Sequence, residues 1–483
     1  MLKLKTHAPG ASCRPLLVCA ALLAAAPGSF ALAPGDPPGV KSEAFDQPPS
    51  WEGFRNVLVP AAPKKVTQDF GWSTTQHASD SPGEIGGLVA RSTTPAHYGR
   101  SIGGESLKGR LTASGTIALL RSEGGSGVFL GWFNSRQQGF RPVNFLGLRL
   151  DAEQRQATVH LDYTTATWKA GGLNTGARIA PDGKRHAWSL AYDPSAAGGA
   201  GSITLTLDGA QHVLQLEAGH QAEGARFDRF GMFNQQTPGG ALVVYCGNLE
   251  VDGKKVSLAK NPQWDGQGNQ KSFDDYEPND SQNFAYYPSR YAGGVGSGEV
   301  GGLFWRTEPE SEAYGYYADR IYRLGTADAL TASGKIAITR AASDSGMYFG
   351  WFNSTLFKGA PRATDAKDEV VPSGLLGVMI EGPSRAGHYF RPIYTTTGGT
   401  RDLPAEGPLI RPDGKSRTFT IAYDPTGDGA LRVTLDGAPV ELKLPPGHRA
   451  LGAPFDRFGM LTMRRGGHYA AVFLDDLKYT TGK

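Results

Sequence analysis

The stretch Ser126-Gly-Val-Phe-Leu-Gly-Trp-Phe-Asn-Ser135 returns later in the chain as Ser345-Gly-Met-Tyr-Phe-Gly-Trp-Phe-Asn-Ser354. Other blocks repeat in the same order: Trp51-Glu-Gly53 with Trp264-Asp-Gly266, Gly83-Glu-Ile-Gly-Gly-Leu88 with Gly298-Glu-Val-Gly-Gly-Leu303, Pro181-Asp-Gly-Lys184 with Pro412-Asp-Gly-Lys415, and Phe227-Asp-Arg-Phe-Gly-Met232 with Phe455-Asp-Arg-Phe-Gly-Met460. The spacing between partners varies, so insertions and deletions fall between the shared blocks. Two copies of domain length indicate tandem domains and not a solenoid.

The N-terminus has the pattern of a secretory signal peptide over residues 1–31. Basic residues precede the apolar run 15–26, and Ser29-Phe30-Ala31 offers a cleavage site. The run is too short to span a bilayer. We therefore expect a secreted protein, extracellular or periplasmic, with no membrane span. The Pro/Gly-rich segment 32–40 is predicted to be disordered.

Charge and cysteine content exclude several classes of protein. The formal charge of the whole chain is +3, and loss of the three basic residues of the signal brings it to 0. A neutral chain argues against binding of nucleic acid. Cys246 is the one cysteine left after cleavage, so neither a disulfide framework nor a cysteine-based zinc site is possible.

Short runs of alternating apolar residues, separated by Gly, Pro, Asp and Asn, predict many antiparallel strands and few helices. Asp208-Gly209 and Asp436-Gly437 are tight hairpin signals between two such runs. The repeat predicts an all-β protein of two sandwich domains, 41–256 and 257–483. Exchange of strands between these halves is the competing arrangement.

The last third of each repeat resembles the concanavalin A-like (laminin G-like) jelly-roll superfamily. The resemblance rests on four features: a Tyr-Asp-Pro turn (Tyr192–Pro194, Tyr423–Pro425), a hairpin ending in Leu-Asp-Gly, a Phe-Gly-Met strand, and a last strand Val472–Tyr479. It implies two curved antiparallel sheets, whose concave face commonly meets carbohydrate. Members include lectins, hydrolases, lyases and adhesion domains, so the fold alone does not choose a function.

The repeated Gly-Trp-Phe-Asn strand supplies the first candidates for ligand binding. Alternation places Trp132 with Asn134, and Trp351 with Asn353, on one face of the strand. Sugar rings stack on tryptophan and hydrogen-bond to amides. The alternative is that the indoles are buried and the asparagines tie a neighbouring loop.

A second candidate face lies on the strand Thr158–Tyr163, which sends His160 and Asp162 to the same side. The second repeat places Arg391 and Ile393 at these positions. Variable polar residues on a fixed scaffold are typical of a diverging binding face. An ordinary solvated face has the same pattern.

The Gly-Glu-(Ile/Val)-Gly-Gly block supplies the third set of candidates. Glu84 could pair with Arg91, and Glu299 with Arg306, either as structural ion pairs or as ligand contacts at a groove rim. Glu299 is also a weak candidate for a calcium ligand, with Asp475 and Asp476 as further oxygen donors. A structural calcium ion is the only cofactor these residues suggest.

Several catalytic motifs are absent from the sequence. It has no Glu-x-Asp-x-(x)-Glu strand of the kind used by retaining glucanases of this fold, and no Gln-(Ile/Val)-His strand of the alginate-lyase type. We therefore expect non-catalytic binding of an extracellular or cell-wall carbohydrate polymer. The alternatives are a polysaccharide-degrading enzyme with an unrecognised site and a structural or adhesion protein of the envelope.

Overall fold

Antiparallel strands make up almost all of the fold in the computed structural model. The model describes residues 39–58, 62–137, 139, 141–152, 155–275, 281–308, 311–342, 344–359, 371–384, 387–399 and 401–482. The predicted signal peptide, 1–31, and most of the predicted disordered segment, 32–40, lie outside these residues. Val40, at the end of that segment, is already part of a strand. Among the described residues, no helix has the length and apolar character needed to cross a membrane.

The elements follow one another in three groups. The N-terminal segment forms β1 (Val40–Glu43), β2 (Glu52–Phe54) and β3 (Val57–Leu58). The next group is β4 (Lys64–Ser73), β5 (Glu84–Ala90), β6 (His97–Glu105), β7 (Leu111–Ser122), β8 (Ser126–Phe133), β9 (Phe145–Ala152), β10 (Ala157–Thr164), β11 (Ala170–Ile179), β12 (Arg185–Asp193), α1 (Ala196–Gly199), β13 (Ser202–Leu207), β14 (Ala210–Gln215), α2 (His220–Glu223), β15 (Phe227–Asn234), β16 (Ala241–Val251), β17 (Lys254–Lys255), β18 (Asp265–Gln267) and β19 (Gln270–Asp275). The last group is β20 (Gln282–Tyr287), β21 (Glu299–Trp305), β22 (Tyr316–Gly325), β23 (Leu330–Ala341), β24 (Ser345–Phe352), α3 (Ser354–Lys358), β25 (Leu375–Ser384), β26 (Gly387–Thr395), β27 (Arg401–Asp402), β28 (Leu409–Ile410), β29 (Arg417–Asp424), β30 (Ala430–Leu435), β31 (Ala438–Lys443), α4 (His448–Leu451), β32 (Pro454–Thr462) and β33 (Tyr469–Thr480).

The hairpin β13–β14 shows why these residues form strands. Buried Ile203, Leu205 and Leu207 alternate with partly exposed residues along β13, so one face of the strand lies in a core. Asp208 and Gly209 both have positive φ angles, 48° and 86°, as a tight two-residue turn between twisted strands requires.

Each of the two sandwiches consists of two sheets. In the first sandwich, sheet 1a has the order β14-β13-β12-β7-β16-β5-β4-β19, with β17 on β16, and sheet 1b has the order β11-β10-β9-β8-β15-β6-β18. In the second, sheet 2a has the order β3-β20-β21-β33-β23-β29-β30-β31, with β1 on β33, and sheet 2b has the order β2-β22-β32-β24-β25-β26-β27, with β28 on β26. An apolar core fills the space between the two sheets of each sandwich. The predicted all-β architecture of two antiparallel sandwiches is confirmed.

The domain boundary predicted at 256/257 is wrong, because strands cross it in both directions. Strands β18 and β19 pair with β6 and β4 of the first sandwich. The N-terminal strands β1, β2 and β3 pair with β33, β22 and β20 of the second sandwich. The first sandwich therefore runs from 62 to 275. The second consists of 281–482 completed by 39–58, and the halves divided at 256/257 do exchange strands.

The crossing segments occupy equivalent places. Trp51 is buried in the second core, and Trp264 packs against the first. The next residue of each segment forms an ion pair with the arginine of the Phe-Asp-Arg strand: Glu52 with Arg457 at 2.8 Å, and Asp265 with Arg229 at 2.8 Å. In the first sandwich this segment follows the body, whereas in the second the N-terminus supplies it.

Candidate functional site

The indoles of the Gly-Trp-Phe-Asn strands belong to the cores. Trp132 and Trp351 are both 0% exposed, and they lie against Phe230 and Phe458 with ring centroids 5.2 and 4.9 Å apart. The indole nitrogen of Trp351 donates to the carbonyl of Thr480 at 2.9 Å. The predicted stacking of a sugar on either tryptophan is wrong, because no part of either ring is accessible.

The two asparagines tie loops, as the structural alternative proposed. Asn134 Nδ2 donates to the carbonyl of Arg226, and Asn353 Nδ2 donates to that of Pro454, both at 3.1 Å. Asn353 Oδ1 also accepts from two backbone N–H groups at the start of α3, so this residue is the N-cap of the helix. Both amides thus have structural roles in the loops that follow their strands.

The outer face of β8 is also covered, which explains why the strand is apolar on both sides. Phe129, Phe133 and Phe233 form an aromatic layer there, with Phe233 4.8 and 4.7 Å from the other two rings. The rings lie close to the strands because glycines leave room for them. A methyl group added at Gly99 would be 3.1 Å from Phe133.

Glu84 and Glu299 do not pair with Arg91 and Arg306, so this prediction is wrong. Each glutamate begins an extended strand and its arginine directly follows the end of that strand, so their Cα atoms are roughly 20 Å apart. Glu84 accepts from the backbone N–H groups of His77 and Ala78 at 2.8 and 2.6 Å.

Glu299 does the same in the second sandwich, where it accepts from Tyr291 and Ala292 N–H at 2.8 and 2.7 Å and from Ser289 Oγ at 2.6 Å. Each glutamate thus anchors the loop that precedes its strand.

The proposed calcium ligands hold the same loop instead of a metal. Asp475 accepts from Gly294 N–H at 2.9 Å, Asp476 accepts from Val295 N–H at 3.0 Å, and Lys335 pairs with Asp476 at 2.9 Å. Burial, with the nearby charge of Asp476, raises the pKa of Asp475 to about 6. Within the described ranges, no group of three His, Cys, Asp or Glu side chains could hold a metal ion. Oxygens already occupied by N–H donors do not fit calcium.

Other predicted residues come together in two polar clusters, the first on the outer face of sheet 1b and the second on the outer face of sheet 2b. The second polar cluster consists of Glu381, Arg306, Arg391 and Arg465. The carboxylate of Glu381, 3% exposed, accepts from the three guanidinium groups at 3.1, 2.5 and 2.7 Å respectively. Arg465 is 42% exposed and forms the accessible side of the cluster. The predicted residues Arg306 and Arg391 thus meet at one carboxylate.

The first polar cluster consists of Arg91, Arg149, Asp151, His160 and Asp162. Arg149 pairs with Asp162 at 2.6 Å and also with Asp151. Burial and the charge of Arg149 lower the pKa of His160 to about 4, so its imidazole is neutral at pH 7. Burial also lowers the pKa of Arg91, which lies within electrostatic reach of Asp151 and Arg149.

The two clusters occupy equivalent sheet positions. Arg149 stands between Phe129 and His160 across sheet 1b, as Met379 stands between Tyr348 and Arg391 across sheet 2b.

Burial lowers the pKa of His468 against the opposing charge of Asp344, and the charges of Arg91 and Arg306 lower it further.

Four members of the clusters were missed from the sequence: Arg149, Asp151, Glu381 and Arg465. Arg149 and Asp151 are the informative ones, since two charged residues that alternate with Leu148, Leu150 and Ala152 along β9 mark its outer face. The accessible members are the guanidinium group of Arg465, 42% exposed, and the carboxylate of Asp151, 26% exposed, whereas Arg149, Asp162, Arg306, Glu381 and Arg391 are buried. Such groups can hydrogen-bond to hydroxyl and carboxylate groups of a ligand.

Two comparisons with known proteins find nothing: no protein-family model matches the chain, and neither does any curated protein.

Among solved structures, the LG4-5 domains of the mouse laminin alpha1 chain are 13% identical, with 86% of this chain and 91% of that chain covered and a TM-score of 0.24. The Emp47p carbohydrate recognition domain is 13% identical over 42% of this chain and 89% of that chain, with a TM-score of 0.26. An endo-β-1,4-glucuronan lyase from the fungus Trichoderma reesei is 12% identical over 41% and 87%, with a TM-score of 0.28. These proteins have the concanavalin A-like jelly-roll fold expected from the sequence, and their likeness concerns the fold alone.

Proposed function

We propose that this protein is secreted and binds an extracellular or cell-wall polysaccharide without cleaving it. The observation that carries the proposal is the pair of polar clusters at equivalent positions of sheets 1b and 2b. Sugar hydroxyls both donate and accept hydrogen bonds, so the partly exposed guanidinium group of Arg465 and carboxylate of Asp151 suit them. Two linked sites gain avidity when both engage one polymer.

A buried acceptor in the first polar cluster supports a polar ligand or a bound water. Asp162 Oδ2 accepts from Arg149, but Oδ1 has no hydrogen-bond partner in the described part of the chain. Buried oxygens are rarely left without a donor. A hydroxyl group of a sugar, directly or through a water, is a suitable donor.

The state of the carboxylates supports binding without hydrolysis. Glycosidases use one carboxylic acid and one free carboxylate about 5 to 10 Å apart. Both oxygens of Glu381 already accept from arginines, and Asp151 and Asp162 share Arg149. Neither cluster offers a carboxylic acid placed to protonate a leaving group.

One observation favours a degrading enzyme as the second candidate. His160 is neutral at pH 7 and stands beside Arg149. A neutral imidazole can accept a proton. Beside a uronic acid it suits proton abstraction next to the sugar carboxylate.

The test distinguishes a binding protein from a degrading enzyme by measuring polymer affinity and product formation with the same protein. The purified protein is titrated with neutral polymers (β-glucan, xylan, mannan) and acidic ones (alginate, polygalacturonate, hyaluronan), while reducing ends and ultraviolet-absorbing unsaturated products are followed. We expect binding with no product. If the unaltered protein forms unsaturated products and His160→Gln does not, the protein is a lyase. If the unaltered protein binds no polymer, the adhesion or spacer role is left.

Arg465→Gln tests the second polar cluster, because this side chain is its exposed member. We expect weaker binding with unchanged melting. Arg432→Gln is the matched control, since Arg432 is an exposed arginine on β30 of the opposite sheet. Equal affinities of the two variants would place the ligand elsewhere.

A further inference from the structure

The loop Ser289–Val295, which lies between β20 and β21 of sheet 2a, carries two exposed apolar side chains. Tyr291 is 53% exposed and Val295 is 77% exposed. The ring of Tyr291 leans on Phe473 of β33, with centroids 4.7 Å apart and planes tilted by 42°. The other face of the Tyr291 ring is the accessible one. This surface lies on the sheet opposite the second polar cluster.

The loop is held rigidly, although its exposed side chains add little to the core. Glu299, Asp475 and Asp476 together accept from four backbone N–H groups of the loop, those of Tyr291, Ala292, Gly294 and Val295. Lys335 donates to the carbonyl of Gly293 at 2.9 Å, and Ser416 donates to that of Ala292. Fixing a loop before a ligand arrives lowers the entropy cost of binding. Buried carboxylates are therefore used to present an aromatic ring to solvent.

The first sandwich repeats this arrangement with different residues. Glu84 anchors the loop that contains His77, which is exposed. The His77 ring lies over Tyr245, with centroids 4.8 Å apart and planes tilted by 36°. Tyr245 pairs with Gly86 as Phe473 pairs with Gly301, so the two ring pairs occupy equivalent positions.

We propose that the Tyr291 ring is a stacking platform for one sugar ring of the polysaccharide, with His77 as its counterpart in the first sandwich. The inference rests on the binding function proposed above and adds a contact surface separate from the polar clusters. The size of the patch favours a sugar over a protein, because two apolar side chains fall far short of the 20 to 30 residues per partner of a stable protein interface.

The surroundings of the ring also suit a sugar. Lys335 and Arg290 bring ammonium and guanidinium N–H donors to the same loop, where they also hold the carbonyls of Gly293 and Gly294. A pyranose has an apolar face that covers an aromatic ring and hydroxyl groups at its rim that reach such polar groups.

The test compares Tyr291→Ala with Tyr322→Ala by titration calorimetry, using the polymer of the panel that the unaltered protein binds most tightly. Tyr322 is the matched control, since it is 65% exposed on β22 of sheet 2b. Loss of a stacking ring weakens binding by about tenfold or more. We expect that loss for Tyr291→Ala, none for Tyr322→Ala, and near-native affinity for Tyr291→Phe, which keeps the ring.

Melting of each variant before titration shows whether the loop is intact. Equal affinity of Tyr291→Ala and Tyr322→Ala, with the unaltered protein binding, overturns the platform and leaves the binding function standing. A loss shared by Tyr291→Phe shows that the hydroxyl group and not the ring makes the contact, which also overturns it. If the unaltered protein binds no polymer of the panel, both proposals fail.

Discussion

A chain that begins at residue 62 tests how the second sandwich is completed. It lacks the segment 39–58, and with it β1, β2 and β3. The first sandwich keeps every strand, because it runs from 62 to 275. We therefore expect the second sandwich to lose stability while the first keeps it.

The size of the loss follows from two buried rings of the segment. Phe45 and Trp51 both lie in the second core, 5.8 Å apart. Removing a buried aromatic ring costs about 3–5 kcal/mol. Two rings in contact are not additive, so roughly 6–10 kcal/mol is an upper bound. That is comparable with the whole stability of a domain, about 5–15 kcal/mol.

Calorimetry and hydrogen exchange of the shortened chain check the prediction. We expect the loss of exchange protection to be confined to 281–482, and a peptide of residues 39–58 added in trans to restore protection there. A matched control is Trp264→Ala, which alters the equivalent place in the first sandwich. Unchanged protection of the second sandwich after removal of 39–58 would refute the reasoning.

Three further predictions concern single side chains. Trp351→Ala should lower stability by about 3–5 kcal/mol through the cavity it leaves; a melting temperature close to that of the unaltered protein would contradict its burial. The folded-state pKa of Asp475, about 6, lies above its ordinary 3.8, so ionisation of this group lowers the free energy of unfolding as pH rises from about 4 to 6. That decrease is worth about 1–3 kcal/mol. Denaturant titrations over this pH range should show it for the unaltered protein and not for Asp475→Asn. Burial raises the pKa of Glu52, but hydrogen bonds from Tyr316 and Arg457 outweigh it and hold the pKa at about 2. Its stabilisation is present above pH 4.5 and lost toward pH 2, so Glu52→Gln should be less stable than the unaltered protein at pH 7 and equal to it near pH 2.

Most of the strands could be predicted from the sequence, because alternation and turn residues are local signals. The Asp208-Gly209 turn, for example, is where the pattern put it, and the predicted strand Thr158–Tyr163 is part of β10. The boundary could not be predicted in the same way. Trp51 and Trp264 align as leading segments of the two repeats, and nothing local tells which body each segment joins.

The candidate residues show the same limit. Alternation correctly predicts which residues of β8 share a face. Both faces are apolar, so the pattern does not say which of them lies against the core. Glu84 was expected to pair with an arginine, whereas its partners are backbone N–H groups, which carry no sequence signal. Arg391 and His160 were aligned correctly, since they occupy equivalent register positions opposite Met379 and Arg149.

The pairing of Val40 with Thr480 has a consequence for the order of folding. A ribosome or an export channel releases the chain from its N-terminus, so β1 emerges first, yet β33 is among the last residues to appear. Contacts between such distant parts of a chain form late and slowly. The first sandwich can form while the chain is still emerging, but the second has to recover a strand released long before. Until then the apolar side of Trp51 is open to aggregation, which a holding chaperone can prevent.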